Sequence, residues 1–281
     1  MMIPTILKDL IKIKKFDVSI AVVLGIILIG LVGPSLYPVD PTDMSAPAEL
    51  PPSNKYPLGT DYFGRDMLAQ LLHGIKNSLY IGVVAASISL IIGVTIGVIS
   101  AYKGGVIDNS LMLLTDIVYA LPSILLMILL AAYLNERNPI FVALVIGVTS
   151  WPWVARAVRS QTLSLKSREF IYMSRMAALS DIKIMFKDLL PNIASYIFMS
   201  FVLLMSAAMI AEAGLSMIGL GVTRGVSLGI ILYWAQVMEA IRRGVWWWFV
   251  PPGICLVALA TALLVLSTAL DEYFNPRLRG R

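Results

Sequence analysis

The feature that most constrains this chain is a series of apolar runs as long as a bilayer is thick. A spanning helix takes about 20 mostly apolar residues, and six stretches qualify: Val18–Tyr37, Leu79–Ala101, Leu111–Leu134, Ile140–Ala157, Ile193–Gly219 and Trp247–Leu270. Hydrocarbon offers no hydrogen bonds, so the backbone of such a run must satisfy itself, which a helix does. The expected fold is an all-α membrane protein with six transmembrane helices. Composition closes off the soluble alternative: 58% of residues are hydrophobic and 14% charged, against roughly 25% charged in soluble domains, and the mean hydropathy is +0.84. The first run is longer than a signal-peptide core and no small-x-small cleavage site follows it, so it is expected to be retained.

The basic residues orient the spans. With the N-terminus inside, 15 of the 22 lysines and arginines fall on cytoplasmic segments, among them Lys8, Lys12, Lys14, Lys15, Lys103, Arg277, Arg279 and Arg281. Positive charge stays on the cytoplasmic side, so both termini are expected there. Trp246, Trp247 and Trp248 then sit at the outer boundary of the last span, where amphipathic rings prefer to lie. The net charge of +5 is scattered between the apolar runs, which points to a lipid environment and not to nucleic acid. The expected division is residues 1–37 for the N-terminus and first span, 38–78 for an outer linker, 79–270 for the transmembrane unit and 271–281 for a cytoplasmic tail.

Three loops exceed simple connections. Residues 38–78 are first rich in proline; from Asp66 onward Met67, Leu68, Leu71, Leu72 and Ile75 recur at helical spacing, which predicts a short helix along the membrane surface. Residues 222–245 mix glycines with Tyr233, Trp234, Gln236 and Glu239. The cytoplasmic loop 156–191 carries seven basic side chains: Arg156, Arg159, Lys166, Arg168, Arg175, Lys183 and Lys187. Ser164–Met176 reads as one short helix; Ser180 and Asp181 cap a second, which Pro191 is expected to end. Two such helices form a knob able to dock on a partner; the plainer reading is a charged topology loop.

Chemistry-bearing constellations are sparse. There is no G-x-x-x-x-G-K-[ST] loop and no H-E-x-x-H, so the chain is not expected to be an enzyme or to hold a nucleotide or metal of its own. His73 and Cys255 stand alone, the first as a surface-helix residue and the second as packing. Asp116 and Glu212 lie in or beside spans, where a central charge costs about 2.5–3.5 kcal/mol, so each is expected to face the bundle interior or a pathway. Gly93 and Gly97 form a small-xxx-small face for close helix packing, and Pro122 and Pro152 are expected to kink their helices.

The order of several motifs resembles the permease subunits of ATP-binding-cassette importers, in the dipeptide, oligopeptide and nickel branch. Pro57-Leu58-Gly59-Thr60-Asp61 with Gly64-Arg65-Asp66 is similar to that branch's P-L-G-T-D-x-x-G-R-D. Asp116 through Ala120, Pro122 and Ser123 resemble D-x-x-x-A-x-P-S. Ser150-Trp151-Pro152 with Ala155-Arg156 and Arg159 resemble the approach to its coupling loop. Glu212-Ala213-Gly214-Leu215-Ser216 with Gly219-Leu220-Gly221 is similar to E-A-G-L-S-x-x-G-L-G, and Asn275-Pro276-Arg277-Leu278-Arg279 to its C-terminal D-P-R-L-R. One departure is plain. Where the coupling loop of such permeases carries E-A-A-x-x-x-G, this chain has Tyr172-Met173-Ser174 and Ala178, which removes a charge and restricts the turn if that position needs positive φ.

The resemblance implies a type I importer permease core of five helices plus a peripheral N-terminal helix, in a prokaryotic cell membrane. It implies a second homologous permease, two cytoplasmic ATPase subunits holding the ATP and Mg, and an extracellular solute-binding protein. Glu169, Tyr172, Met173, Ser174, Arg175, Ala178, Ser180, Asp181, Leu190 and Pro191 would form the ATPase-coupling surface; Asp116, Pro122, Glu212 and Ser216 would serve the pathway or its gate. The implied cargo is peptides or similar small oligomeric solutes, oligosaccharides included. The rival readings are a stand-alone secondary transporter or channel, which usually shows an internal repeat, and an intramembrane enzyme, which needs a catalytic pair.

Overall fold

A computed structural model describes residues 14–133 and 137–274. Lys8, Lys12, Leu134 and the Asn275–Arg281 tail with its D-P-R-L-R-like motif lie outside the described residues. The described chain is helical, with a single bridge between Thr60 and Asp66 as its only extended pairing. The elements are α1 (Lys14–Leu36), α2 (Met67–Lys103), α3 (Gly105–Ala120), α4 (Ser123–Ala132), α5 (Pro139–Thr149) and α6 (Pro152–Lys166). They continue with α7 (Glu169–Met176), α8 (Asp181–Ile184), a π turn over Met185–Leu189, α9 (Leu190–Met217), α10 (Leu228–Val237) and α11 (Trp246–Phe274).

Among the described residues four helices are long and apolar enough to cross a membrane, and the count is six with each of two bent pairs taken as one span. The third span is broken by 81° between α3 and α4, the fourth by 49° between α5 and α6. A proline stands at each break. Leu121, ahead of Pro122, adopts the extended region (φ −80°, ψ 131°), which the proline ring favours by crowding a helical predecessor. Pro152 starts α6 where its missing N–H costs nothing.

α2 is the central post, with α1, α5, α6, α9 and α11 packed around it. Residues 66–75 do not form a separate surface helix. Met67 is fully buried and Ile75 is 1% exposed, so the apolar stripe that suggested a membrane surface faces protein instead. Nothing between Asp66 and Lys103 interrupts the helix, and the boundary placed at 78/79 falls inside it. Asp66 caps its start by accepting the Ala69 N–H at 2.9 Å. Tyr37, just beyond α1, donates its hydroxyl to Asp66 at 2.7 Å; burial, and then this carboxylate, push the phenol up to about 12, so it remains a donor. α1 itself is peripheral, with Val18, Leu24, Leu28 and Leu31 all more than half exposed.

Two other expectations change. Pro191 does not end its helix: α8, the π turn and α9 run on as one helix from Asp181 to Met217. The π turn makes this possible, because Leu190 reaches back five residues to the Met185 carbonyl, and Pro191 falls in the first turn of α9. The tryptophans are not a free girdle: Trp246 is 50% exposed, but Trp248 is fully buried and Trp247 donates to the Thr60 carbonyl at 3.1 Å. They seat the 38–66 segment on the bundle. His73 is half-buried on α2, and Cys255 is half-buried against the main core.

Candidate functional site

The two proline breaks face each other across a cavity of about 540 Å³. Its walls come from the α3–α4 break (Tyr119, Leu121, Pro122), the α5–α6 break (Ser150, Trp153) and the alanine face of α9. Tyr119 and Leu121 are about half exposed at 53% and 48%, so the cavity opens at the surface of this chain. No lining side chain carries a fixed charge, and the lining from α2 and α9 is alanine and serine alone apart from Leu204. Small residues leave the room; the broken backbone at Leu121–Pro122 and Ser150 supplies polar groups that a straight helix would have used internally.

Of the four residues singled out for the pathway, Pro122 lines this cavity. Asp116 stands one turn away on α3 and pairs with Arg156 Nη2 of α6 at 2.6 Å, with 55% of its side chain exposed. Arg156 also lies over the Tyr119 ring, 4.2 Å from its centre. Glu212 and Ser216 do not line the cavity. They are fully buried together behind it, where Glu212 Oε1 accepts the hydroxyls of Ser216 at 2.8 Å and Ser227 at 2.6 Å. The other oxygen, Oε2, abuts Gly229 in the first turn of α10, the end of a helix that favours negative charge. The neighbouring Leu228 N–H binds Ser78 Oγ at 3.0 Å and the Ile230 N–H binds Ser227 Oγ at 3.1 Å. The Glu-Ala-Gly-Leu-Ser motif thus locks α10 to α9 and α2. Arg137 completes the lock by donating to the carbonyls of Gly221 at 3.0 Å and Gly219 at 3.1 Å.

At the other end, loop 156–191 is a helical knob. α6 extends into it as far as Lys166, so Arg156 and Arg159 belong to a helix and not to a loop. Ile171, Ile184 and Leu189 are fully buried and form its core. The end of α2 anchors it: Lys166 Nζ donates to the Ala101 carbonyl at 2.9 Å, Tyr102 Oη to Asp181 Oδ1 at 2.9 Å and Lys103 Nζ to Asp181 Oδ2 at 2.5 Å. Arg175 lies over the Tyr102 ring at 5.2 Å. Ser180 sits at the start of α8, but its side chain caps nothing; Asp181 instead faces α2. Glu169 opens α7, Ser174 is half-buried, and Leu190 and Pro191 begin α9. Tyr172, Met173 and Met176 leave the knob 53%, 69% and 88% exposed, an apolar face unusual for a solvated loop.

Ala178 occupies the turn between α7 and α8 at φ +53°, a left-handed conformation that suits glycine and strains alanine. Ala178→Gly is expected to stabilise the protein by about 1 kcal/mol, read as a rise in the unfolding temperature of detergent-purified protein; an unchanged or lower temperature would refute the strain.

The sequence signal for Asp108, Arg159, Tyr119, Arg137 and Ser227 was weak, because each acts with a partner far along the chain. Arg156 and Arg159, one helical turn apart, were the one local hint.

Comparison with known proteins adds to this geometry. Residues 93–280 match the family model described as "Binding-protein-dependent transport system inner membrane component". The chain is 34% identical over 274 residues to the dipeptide transport system permease protein DppC of Bacillus subtilis, covering 95% of this chain and 84% of that one. It is 35% identical over 268 residues to the oligopeptide transport system permease protein OppC of Mycobacterium bovis, covering 93% of this chain and 91% of that one. Among solved structures, a chain of the MetNI methionine ABC transporter in an inward-facing conformation superposes with a TM-score of 0.51 at 19% identity, over 70% of this chain and 97% of that one. That likeness concerns the fold.

Proposed function

We infer a peptide importer from one premise: the chain belongs to the family of binding-protein-dependent transport system inner membrane components, and is a multi-pass permease subunit of an ATP-binding-cassette importer. It forms half of a pathway for peptides or similar small oligomeric solutes, oligosaccharides included. A second homologous permease supplies the other half. Two ATPase subunits bind ATP and Mg and dock on the knob through Tyr172, Met173 and Met176, with both chain termini on their side of the membrane. A binding protein delivers cargo to the opposite end, where residues 38–66 and α10 form the surface. The stand-alone transporter has no observation in its favour.

The observation that carries the reading is the open cavity between the two proline breaks. A wall of small residues, a few apolar and aromatic side chains and backbone groups, with no fixed charge, excludes no cargo by charge, as a path for peptides of varied sequence requires. Selection then rests with the binding protein. No cluster of three or more His, Cys, Asp or Glu exists among the described residues, so the choice of a metal cargo would also fall to the binding protein.

The test is purification of the chain in mild detergent from its native membrane, then reconstitution. A second permease, ATPase subunits and a binding protein should co-purify, and labelled peptide should accumulate in liposomes when ATP is supplied. Purification of the chain alone, with solute uptake independent of ATP, would refute the reading.

A further inference from the structure

The third span's first half, α3, is held to the rest of the protein in an unusual way. Only Asp108 and Thr115 of its sixteen residues are buried, and Val106, Leu113 and Ile117 are 81%, 63% and 56% exposed. Apolar packing therefore does little to fix it. What ties it down is charge. Arg159 of α6 grips Asp108 with both prongs of its guanidinium, Nε to Oδ1 and Nη2 to Oδ2, each at 2.7 Å. Arg156 grips Asp116 at 3.1 and 2.6 Å. Partner numbers rise along one helix as they fall along the other, so α3 and α6 lie antiparallel and are clasped at two levels.

Both ends of α3 are jointed. Gly104 and Gly105, at φ +71° and +56°, separate it from α2, in a region few other residues enter. At its far end lies the 81° break before α4. α6, by contrast, is bolted to α2: Val154, Ala155 and Val158 are fully buried where Gly93 and Gly97 let the backbones meet. α6 also runs straight into the knob, reaching α7 through Ser167 and Arg168 alone. The jointed helix carries Tyr119, and with it the wall of the cavity.

We propose that Arg159 and Arg156 are positioning residues that yoke α3 to α6, so that movement of the docking knob carries the Tyr119–Pro122 wall of the pathway with it. This rests on the importer reading above. In the transport cycle α3 follows α6 and the α2 helix to which α6 is bolted, because the two ion pairs hold it across its joints at Gly104–Gly105 and at the 81° break. Arg159 is the stronger link, because its pair is bidentate and its aspartate is only 13% exposed. The Arg156 pair is more exposed and adds its ring contact with Tyr119, which fixes the side chain of the wall itself.

The experiment uses the complete transporter in proteoliposomes and reads peptide imported per ATP hydrolysed. Arg159→Ala and Asp108→Ala are each expected to lower that ratio about tenfold, within the usual span of coupling between sites, with ATP hydrolysis itself largely kept. The exchanged pair Asp108→Arg with Arg159→Asp should recover most of it. In a Cys255→Ala background, Asp108→Cys with Arg159→Cys should lose coupling and regain it when a short bifunctional thiol reagent bridges the two positions. A wild-type ratio in the single variants, even at lower protein yield, would reduce the pair to a structural contact and overturn the proposal. So would a bridged transporter that assembles but imports nothing, since that would mean α3 and α6 must part. If the unaltered transporter shows no ATP-dependent uptake, the importer reading falls and this proposal with it.

Discussion

Gly97→Val is expected to lower the stability of the protein by about 3 kcal/mol, at the upper end of what overpacking costs, and to separate α6 from α2. A β-carbon at Gly97 would stand 2.6 Å from the carbonyl oxygen of Ala155, 2.9 Å from Val158 Cβ and 3.0 Å from the Arg159 nitrogen. Two of those three neighbours are backbone, which cannot rotate aside. One turn earlier, a β-carbon at Gly93 would meet Val154 Cβ at 2.7 Å, so the two glycines share one seam and relief at one is blocked by the other. Dispersion contacts along such a seam drive helix association in lipid, where burial of apolar surface gives no advantage. Gly97→Ala should cost about 1 kcal/mol by the same steric argument. The control is Gly214, which lies on α9 with nothing within 4 Å of a β-carbon and should accept alanine without effect. Thermal unfolding of the purified protein, followed by tryptophan fluorescence, checks all three. Equal unfolding temperatures for the Gly97 and Gly214 variants would show that the seam is not closed in solution. Because α6 carries the knob and both clasping arginines, loss of the seam should also abolish uptake.

That seam was legible in the sequence, since two glycines four residues apart in an apolar run need no partner to be noticed. The six spans were legible for the same reason: length and hydropathy are local properties. What the sequence hid was whatever depends on which face meets protein and which meets lipid. Met67, Leu71, Leu72 and Ile75 have a helical stripe either way, and only the packed structure shows them turned inward. The breaks at Pro122 and Pro152 were legible as kinks, but an 81° turn follows from Leu121 adopting an extended backbone, which proline allows and does not compel. The salt-bridged pairs were the hardest to foresee. Asp108 and Arg159 are 51 residues apart, and nothing local to Asp108 marks it among the charges near a membrane boundary. The resemblance drew attention to Glu212 and Ser216 together but not to Ser227, because the third member of that group comes from another helix.

Glu212→Ala is expected to cost about 3 kcal/mol, since it strips a buried group of hydrogen-bonding partners and leaves a void. The carboxylate is wholly buried, accepts from Ser216 and Ser227, and faces the first turn of α10, whose N–H groups have no intrahelical acceptors. Alanine would leave two buried hydroxyls without their acceptor and would open a void against the first turn of α10. Glu212→Gln tests the two contributions separately. Its amide oxygen can keep both serine bonds, while its NH₂ would place a donor against the donors of α10, so it should cost less, about 1 kcal/mol. Ser227→Ala should resemble it, because the hydroxyl that binds Glu212 also caps Ile230. The order Ala, then Gln and Ser227→Ala together, is what a clamp between α9 and α10 requires. A pathway role would leave a different trace: all three variants would unfold at the wild-type temperature, and uptake would fail in the glutamate variants alone. The separation of Glu212 from the cavity lining favours the clamp.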